Sequence, residues 1–231
     1  MLLLKPLLLV TSAILCGRVL TPPRPRVSEA TYKVYKGQLF EYLVRSLAYL
    51  ACYTIIASSL SQTILLLINQ RLSPVESWLC PAAHDMQPLA AISTRFLVGF
   101  GLVLLGSTVR LWSFRALGKF FMYEVTLQHD HRLITSGPYA FARHPSYTSM
   151  LLLLIGEHLM QFGPSGYLLH CGIDHTPFGF LIILWRFATF FASYSLIRRC
   201  DVEDKQLCAR FGAEWKDYAT KVQYKILPYI L

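Results

Sequence analysis

Charge is scarce in this chain: only 15% of its 231 residues are Asp, Glu, Lys or Arg. With 54% hydrophobic residues and a mean hydropathy of +0.43, it has too few polar groups to coat a globule in water, which places it in a bilayer. Acids are the rarer charge, 13 against 22 bases, and a formal charge of +9 raises the question of nucleic acid. The bases lie between apolar runs and not along one face, so they read as the positive-inside bias of a membrane protein, and no nucleic-acid partner is expected. The six cysteines include no CxxC pair and no zinc-ligand rhythm, and several sit inside apolar runs as small hydrophobes. Cys80 and Cys171 both fall where a lumen can reach them, and whether they pair stays open. His129 and His131 alternate around Asp130 without a third ligand motif, so no metal site is expected. GFGLVLLG, residues 99–106, lacks the strand before and helix after that a nucleotide-binding glycine loop needs; within one apolar helix its glycines read as a packing face.

What is present is a series of apolar runs. Residues 1–20 read as an uncleaved first span followed by a basic cytosolic loop, since cleavage would send that loop outward against the charge rule. The second span runs from about Leu39 to Ile68, with Glu41 and Arg45 one helical turn apart and able to pair. The third covers about Leu89 to Trp112. A fourth stretch, residues 145–169, is interrupted by Glu157, His158 and a Gly-Pro-Ser-Gly turn; it reads either as a tilted crossing or as half of a re-entrant hairpin. Glu157 and His158 are expected to pair within the bundle. The fifth span, Phe178 to Ile197, carries Arg186 at its centre, a costly position that predicts a polar cavity. The residues thus predict an all-α integral membrane protein with about five transmembrane helices. Residues 1–112 supply three spans, and residues 113–231 hold a long polar loop, two more spans and a cytosolic C-terminal amphipathic helix that breaks near Gly212.

Most of the chemistry-bearing side chains gather in residues 129–147 and 198–215. HRLITSGPY at 131–139, RHPSY at 143–147, then Arg199, Glu203-Asp204, Leu207 and Phe211-Gly212 together resemble the isoprenylcysteine carboxyl methyltransferase family. The resemblance covers roughly residues 110–231; the first hundred residues match only as generic membrane spans. It departs from the family pattern at Asp204, where a second glutamate is usual, and at Tyr224-Lys225, where an arginine is usual.

The resemblance implies a cofactor, S-adenosylmethionine, in a pocket lined by Glu124, His131, Arg132, Leu133, Ile134, Tyr139, His144, Pro145, Ser146, Tyr147 and Glu203. The residues agree with it. Pro145 suits the first turn of a helix with His144 as its cap, leaving backbone N–H groups for a carboxylate. Tyr139 and Tyr147 offer flat faces for adenine and hydroxyls for the ribose, and Glu203 accepts from ribose hydroxyls or an ammonium. Arg199, one helical turn before Glu203, is assigned to the carboxylate of the substrate, with Arg186 as a helper. The implied reaction is methyl esterification of the C-terminal carboxylate of a prenylated cysteine, on prenylated proteins, at the cytosolic face of the endoplasmic reticulum membrane. Two rivals share features: a membrane sterol reductase using NADPH, which has a similar G-x-x-W and I-x-P-Y tail, and a phospholipid N-methyltransferase. A non-catalytic lipid-binding protein would need none of the His, Tyr and Glu positions.

Overall fold

The structure is a computed structural model that describes residues 3–25, 35, 37–68, 78–82, 85–126 and 130–226, and it is helical, with no β-strand among the described residues. Six helices organise it: α1 (Leu4–Leu20), α2 (Leu39–Leu67), α3 (Thr94–Leu117), α4 (Pro145–Gln161), α5 (Gly179–Phe211) and α6 (Ala213–Lys221). Three stretches are long and apolar enough to cross a membrane: Leu39–Leu67, Gln87–Phe120 and Gly179–Phe211. α1 and α4 have 17 residues each, about 25 Å of helix against a hydrocarbon core of about 30 Å.

Polar contacts tie the helix ends into two layers. At one end Arg110 of α3 donates from Nε to the Val19 carbonyl of α1 (3.3 Å) and from Nη1 to the Ser146 carbonyl and Oγ of α4 (3.0 and 2.6 Å). At the opposite end Lys5 of α1 donates to the carbonyls of Leu89, Ala91 and Ser165 at 2.7–2.8 Å, and Gln62 of α2 donates to two of the same three. Consecutive helices from α1 to α5 therefore alternate in direction. The described parts of the connections 21–38 and 118–144, and of the tail, lie at the Arg110 end. Cys80 and Cys171 form a disulfide at the Lys5 end, which closes the pairing left open by the sequence.

Two of the three glycines of GFGLVLLG do what their context predicts, while Gly101 faces open space. A Cβ on Gly99 would lie 2.7 Å from the Gly156 carbonyl oxygen, and one on Gly106 would lie 2.8 Å from that of Ser149. Only hydrogen fits there, so α3 and α4 pack backbone to backbone, and this contact fixes where α4 begins.

Several expectations need correction. α3 starts at Thr94, after a separate turn at Gln87–Ala90, because Ser93 caps it by accepting from the Phe96 N–H. The fourth helix stops at Gln161, and residues up to 169 form a turn and a short helical piece, Tyr167–His170. The fifth span and the amphipathic tail are one 33-residue helix, since nothing between Ile197 and Phe211 breaks it; the break falls at Gly212, whose φ of +54° suits glycine. Glu41 and Arg45 do not pair: Arg45 grips Glu124 with two hydrogen bonds (2.6 and 3.1 Å), and Glu41 faces Arg199. Glu157 does not pair with His158; it accepts from Ser12 (2.5 Å) and Cys16 (3.3 Å) of α1, while His158 stacks on Phe162. His129 and residues 26–34, 69–77 and 227–231 lie outside the described residues.

Candidate active site

One cavity among the described residues opens at the Arg110 end and continues between α2, α4 and α5. Its polar part is built on the start of α4. Pro145 occupies the first helical turn and His144 precedes it with non-helical backbone, as the sequence predicts. That start is clamped by the tail: the Arg143 N–H donates to the Tyr224 carbonyl (2.9 Å), the His144 N–H to that of Lys225 (2.8 Å), and the Thr148 hydroxyl to that of Ile226. Tyr224-Lys225 thus contributes backbone to the site, while the Lys225 ammonium pairs with Asp201.

His144 and the acidic pair form the centre. Its Nε2 lies 3.0 Å from Asp204 Oδ1 and its Nδ1 3.4 Å from Glu203 Oε2, and its ring stacks on Tyr147. Burial disfavours the charged imidazole, but the hydrogen bonds to Asp204 and Glu203 outweigh it and hold the His144 pKa above its ordinary value. Asp204, though one methylene shorter than the usual glutamate, still bridges His144 and Arg143, the latter at 3.2 Å. Glu203 also accepts from the Tyr147 hydroxyl and, at 3.2 Å, from Arg199 Nε, so the same-face placement read from the sequence holds.

Arg199 stands where the polar and apolar parts meet. It is 2% exposed, donates from Nη2 to the Tyr123 carbonyl (2.5 Å), and has Glu41 of α2 3.6 Å from its Nε. Beyond it the lining turns apolar: Phe40, Val44 and Ala48 of α2 face Leu196, Ala192 and Thr189 of α5. Toward the mouth lie His131, Arg132, Leu133, Ile134 and Tyr139. Burial lowers the His131 pKa and raises that of Tyr139. His131 Nδ1 and Thr126 Oγ1 are buried in the wall with no hydrogen-bond partner among the described residues.

Of the residues assigned from the sequence, Glu124, His131–Ile134, Tyr139, His144, Ser146, Tyr147, Arg199 and Glu203 all line this cavity. Pro145 shapes the helix start without lining it, and Glu124 reaches the cavity with its carboxylate held by Arg45. Arg186 does not join them. It sits 13 residues from Arg199 on α5, about 20 Å along the helix, is exposed on the protein surface, and stacks over Phe162 at 4.8 Å. The cavity described above does not reach Arg186.

Residues 97–173 match the model of the isoprenylcysteine carboxyl methyltransferase (ICMT) family. The matched segment holds most of α3, all of α4 and both the HRLITSGPY and RHPSY blocks. A probable protein-S-isoprenylcysteine O-methyltransferase of Oryza sativa subsp. indica is 29% identical over 135 residues, 58% of this chain and 61% of the relative. The protein-S-isoprenylcysteine O-methyltransferase of Saccharomyces cerevisiae is 30% identical over 150 residues, 64% and 55% respectively. The chain therefore spans a little over half the length of the curated methyltransferases it matches. A 7-dehydrocholesterol reductase of Xenopus laevis is 30% identical over 101 residues, 44% of this chain but 18% of that enzyme. No solved structure matches.

Sequence reasoning missed Glu41, Arg45, Arg110 and Tyr123. The first two were assigned to each other by spacing, although their partners Arg199 and Glu124 are 158 and 79 residues away. Arg110, near the end of the third span, is buried and donates to the Tyr123 hydroxyl at 3.1 Å, which fixes the strip of chain passing under Arg199. Only the scarcity of charge in the spans marked them: each ionisable group kept there needs a partner.

Proposed function

We propose that this protein transfers a methyl group from S-adenosylmethionine to the C-terminal carboxylate of a prenylated cysteine, giving the methyl ester. The observation that carries this reading is the placement of Arg199 at the junction of one cavity, with a polar, cap-and-carboxylate end on one side and an apolar channel between α2 and α5 on the other. The polar end fits the cofactor by its lining groups: the Tyr139 and Tyr147 rings, the Glu203 carboxylate and the His131 nitrogen that has no partner among the described residues. When bound, the cofactor supplies a methyl group on a positively charged sulfonium.

The chain's own work is orientation and dehydration. Arg199 holds the substrate carboxylate by its fork and aims one oxygen at the methyl carbon. The O–CH3 bond forms as the S–CH3 bond breaks, and since the carboxylate is already ionised at neutral pH, no base is required. The apolar channel takes the prenyl tail from the bilayer, and its side chains keep water from the carboxylate. An amine nucleophile, as in phospholipid N-methylation, finds an unfavourable guanidinium at the junction, and that favours an anion. Hydride transfer from NADPH remains the second reading, because a sterol reductase matches part of the chain.

We place the two units of the sequence reading, residues 1–112 and 113–231, in one bundle of five crossings, with the Arg110 end and the tail in the cytosol of the endoplasmic reticulum membrane. Support comes from the alternating helices and from the bases of the tail. A C-terminal tag should be open to protease from the cytosol, and its protection would overturn this orientation. The reaction is tested by incubating the purified full chain in lipid with methyl-labelled S-adenosylmethionine and N-acetyl-S-farnesylcysteine. Base-labile label in the prenylcysteine is expected; oxidation of NADPH with a sterol and no label transfer would replace this reading by the reductase.

A further inference from the structure

The apolar channel has a floor. On each of the three helices that line it, the lining residue farthest from the polar mouth is Ala51 on α2, Leu154 on α4 and Trp185 on α5. Ala51 and Trp185 belong to the main hydrophobic core, whereas Val44, Ala48 and Leu196, nearer the mouth, belong to a separate cluster. Between Arg199 and Trp185 the α5 lining is Leu196, Ala192, Thr189 and Ala188, three small side chains after one leucine, and the next lining residue on this helix is the bulky indole. Trp185 is 5% exposed, and its indole N–H has no hydrogen-bond partner among the described residues. Bulk and not polarity is what it offers.

From Arg199 to Trp185 is 14 residues of continuous helix, about 21 Å. An S-farnesylcysteine places its terminal carbon about 15 bonds from the carboxylate carbon, roughly 19 Å when extended, and an S-geranylgeranylcysteine about 19 bonds, roughly 24 Å. With the carboxylate on Arg199, the first ends at the indole and the second runs into it. Resting on the methyl-transfer reading above, we infer that Trp185 is a specificity-determining residue that measures the isoprenoid and favours the fifteen-carbon chain. The longer tail must bend, or pull its carboxylate off the Arg199 fork, and both reduce productive alignment.

The test uses the purified full chain in lipid with S-adenosylmethionine and two acceptors, N-acetyl-S-farnesylcysteine and N-acetyl-S-geranylgeranylcysteine. Wild type should favour the farnesyl acceptor in kcat/KM by about 10-fold or more, in line with the discrimination a closed apolar pocket achieves. Trp185→Ala should bring the ratio to within about twofold by raising the geranylgeranyl value, and Trp185→Phe, which keeps a ring, should retain most of the preference. S-adenosylhomocysteine affinity, set at the other end of the cavity, should not move and reports that each variant is folded. Because the indole N–H holds no partner, neither substitution orphans a polar group; if Trp185→Ala does not fold, Trp185→Leu gives the same comparison with less lost volume. Equal use of both acceptors by wild type, or an unchanged ratio in a folded Trp185→Ala or Trp185→Leu, overturns the ruler and leaves methyl transfer standing. No transfer to either acceptor overturns methyl transfer itself, and the ruler with it.

Discussion

Lys5 and Arg199 are buried to the same degree, 2% exposed each, at opposite ends of the bundle, and the chain treats them differently. Lys5 gives its ammonium to three backbone carbonyls, beside a disulfide that ties Cys80 to Cys171 across 91 residues. That end is closed. Arg199 instead shares Glu203 with His144 and Tyr147, has Glu41 behind it, and looks into a cavity where His131 and Thr126 lack partners. A buried cation whose donors all go to backbone carbonyls serves stability; one that shares its carboxylates and faces an open cavity fits the proposed role of receiving a further anion.

The largest expected effect breaks the Arg199 side. Arg199→Lys keeps the charge but loses the planar fork, and turnover of a farnesylcysteine acceptor at saturating S-adenosylmethionine should fall ~100-fold with cofactor affinity nearly unchanged. Wild-type turnover, or failure through lost cofactor binding alone, would remove Arg199 from its role. Next, Glu203→Gln removes the charged acceptor shared by Tyr147, His144 and Arg199. Calorimetric titration of the folded variant should show S-adenosylmethionine binding weakened about 10- to 100-fold.

The Lys5 side should respond in stability and not in binding. Lys5→Met takes the side-chain donor from the Ala91 carbonyl and leaves those of Leu89 and Ser165 to Gln62 alone, and should lower unfolding stability in detergent by about 1–3 kcal/mol, with S-adenosylhomocysteine affinity unaltered. A loss of affinity equal to that of Glu203→Gln would erase the contrast between the two ends.

The smallest effect concerns His144. Its folded pKa is raised, so the stability it contributes is fully present below the unfolded value of about 6.5 and is lost as pH rises through the folded value. Thermal unfolding of the ligand-free protein should therefore show a decline with pH above about 6.5 that His144→Gln flattens.

The membrane character, the helical class, the glycine packing face and the polar end of the cavity were legible because each is local. RHPSY announces a helix start through its proline; Arg199 and Glu203 share a face by spacing; GFGLVLLG sits within one apolar run. What escaped was set by partners distant in sequence. Glu41 and Arg45 have the spacing of a helical pair, but each finds a better partner on another element, and a short-range rule cannot see that choice. Glu157 prefers the hydroxyl of Ser12 for the same reason. Arg186 misled in the opposite way: a charge within an apolar run suggested a cavity, while a long side chain on an exposed face needs only a ring to lie over.

The central claim is that one cavity holds the methyl donor and the prenylcysteine at the same time, one at each side of Arg199. Its most direct test is the affinity of the purified protein for N-acetyl-S-farnesylcysteine, by calorimetry, with and without saturating S-adenosylhomocysteine, which fills the polar end but has no methyl to give. The expected result is a ternary complex, with prenylcysteine affinity equal or higher when the polar end is filled. An apparent Kd that rises in proportion to S-adenosylhomocysteine would mean that the two compete for one place, and would contradict the claim.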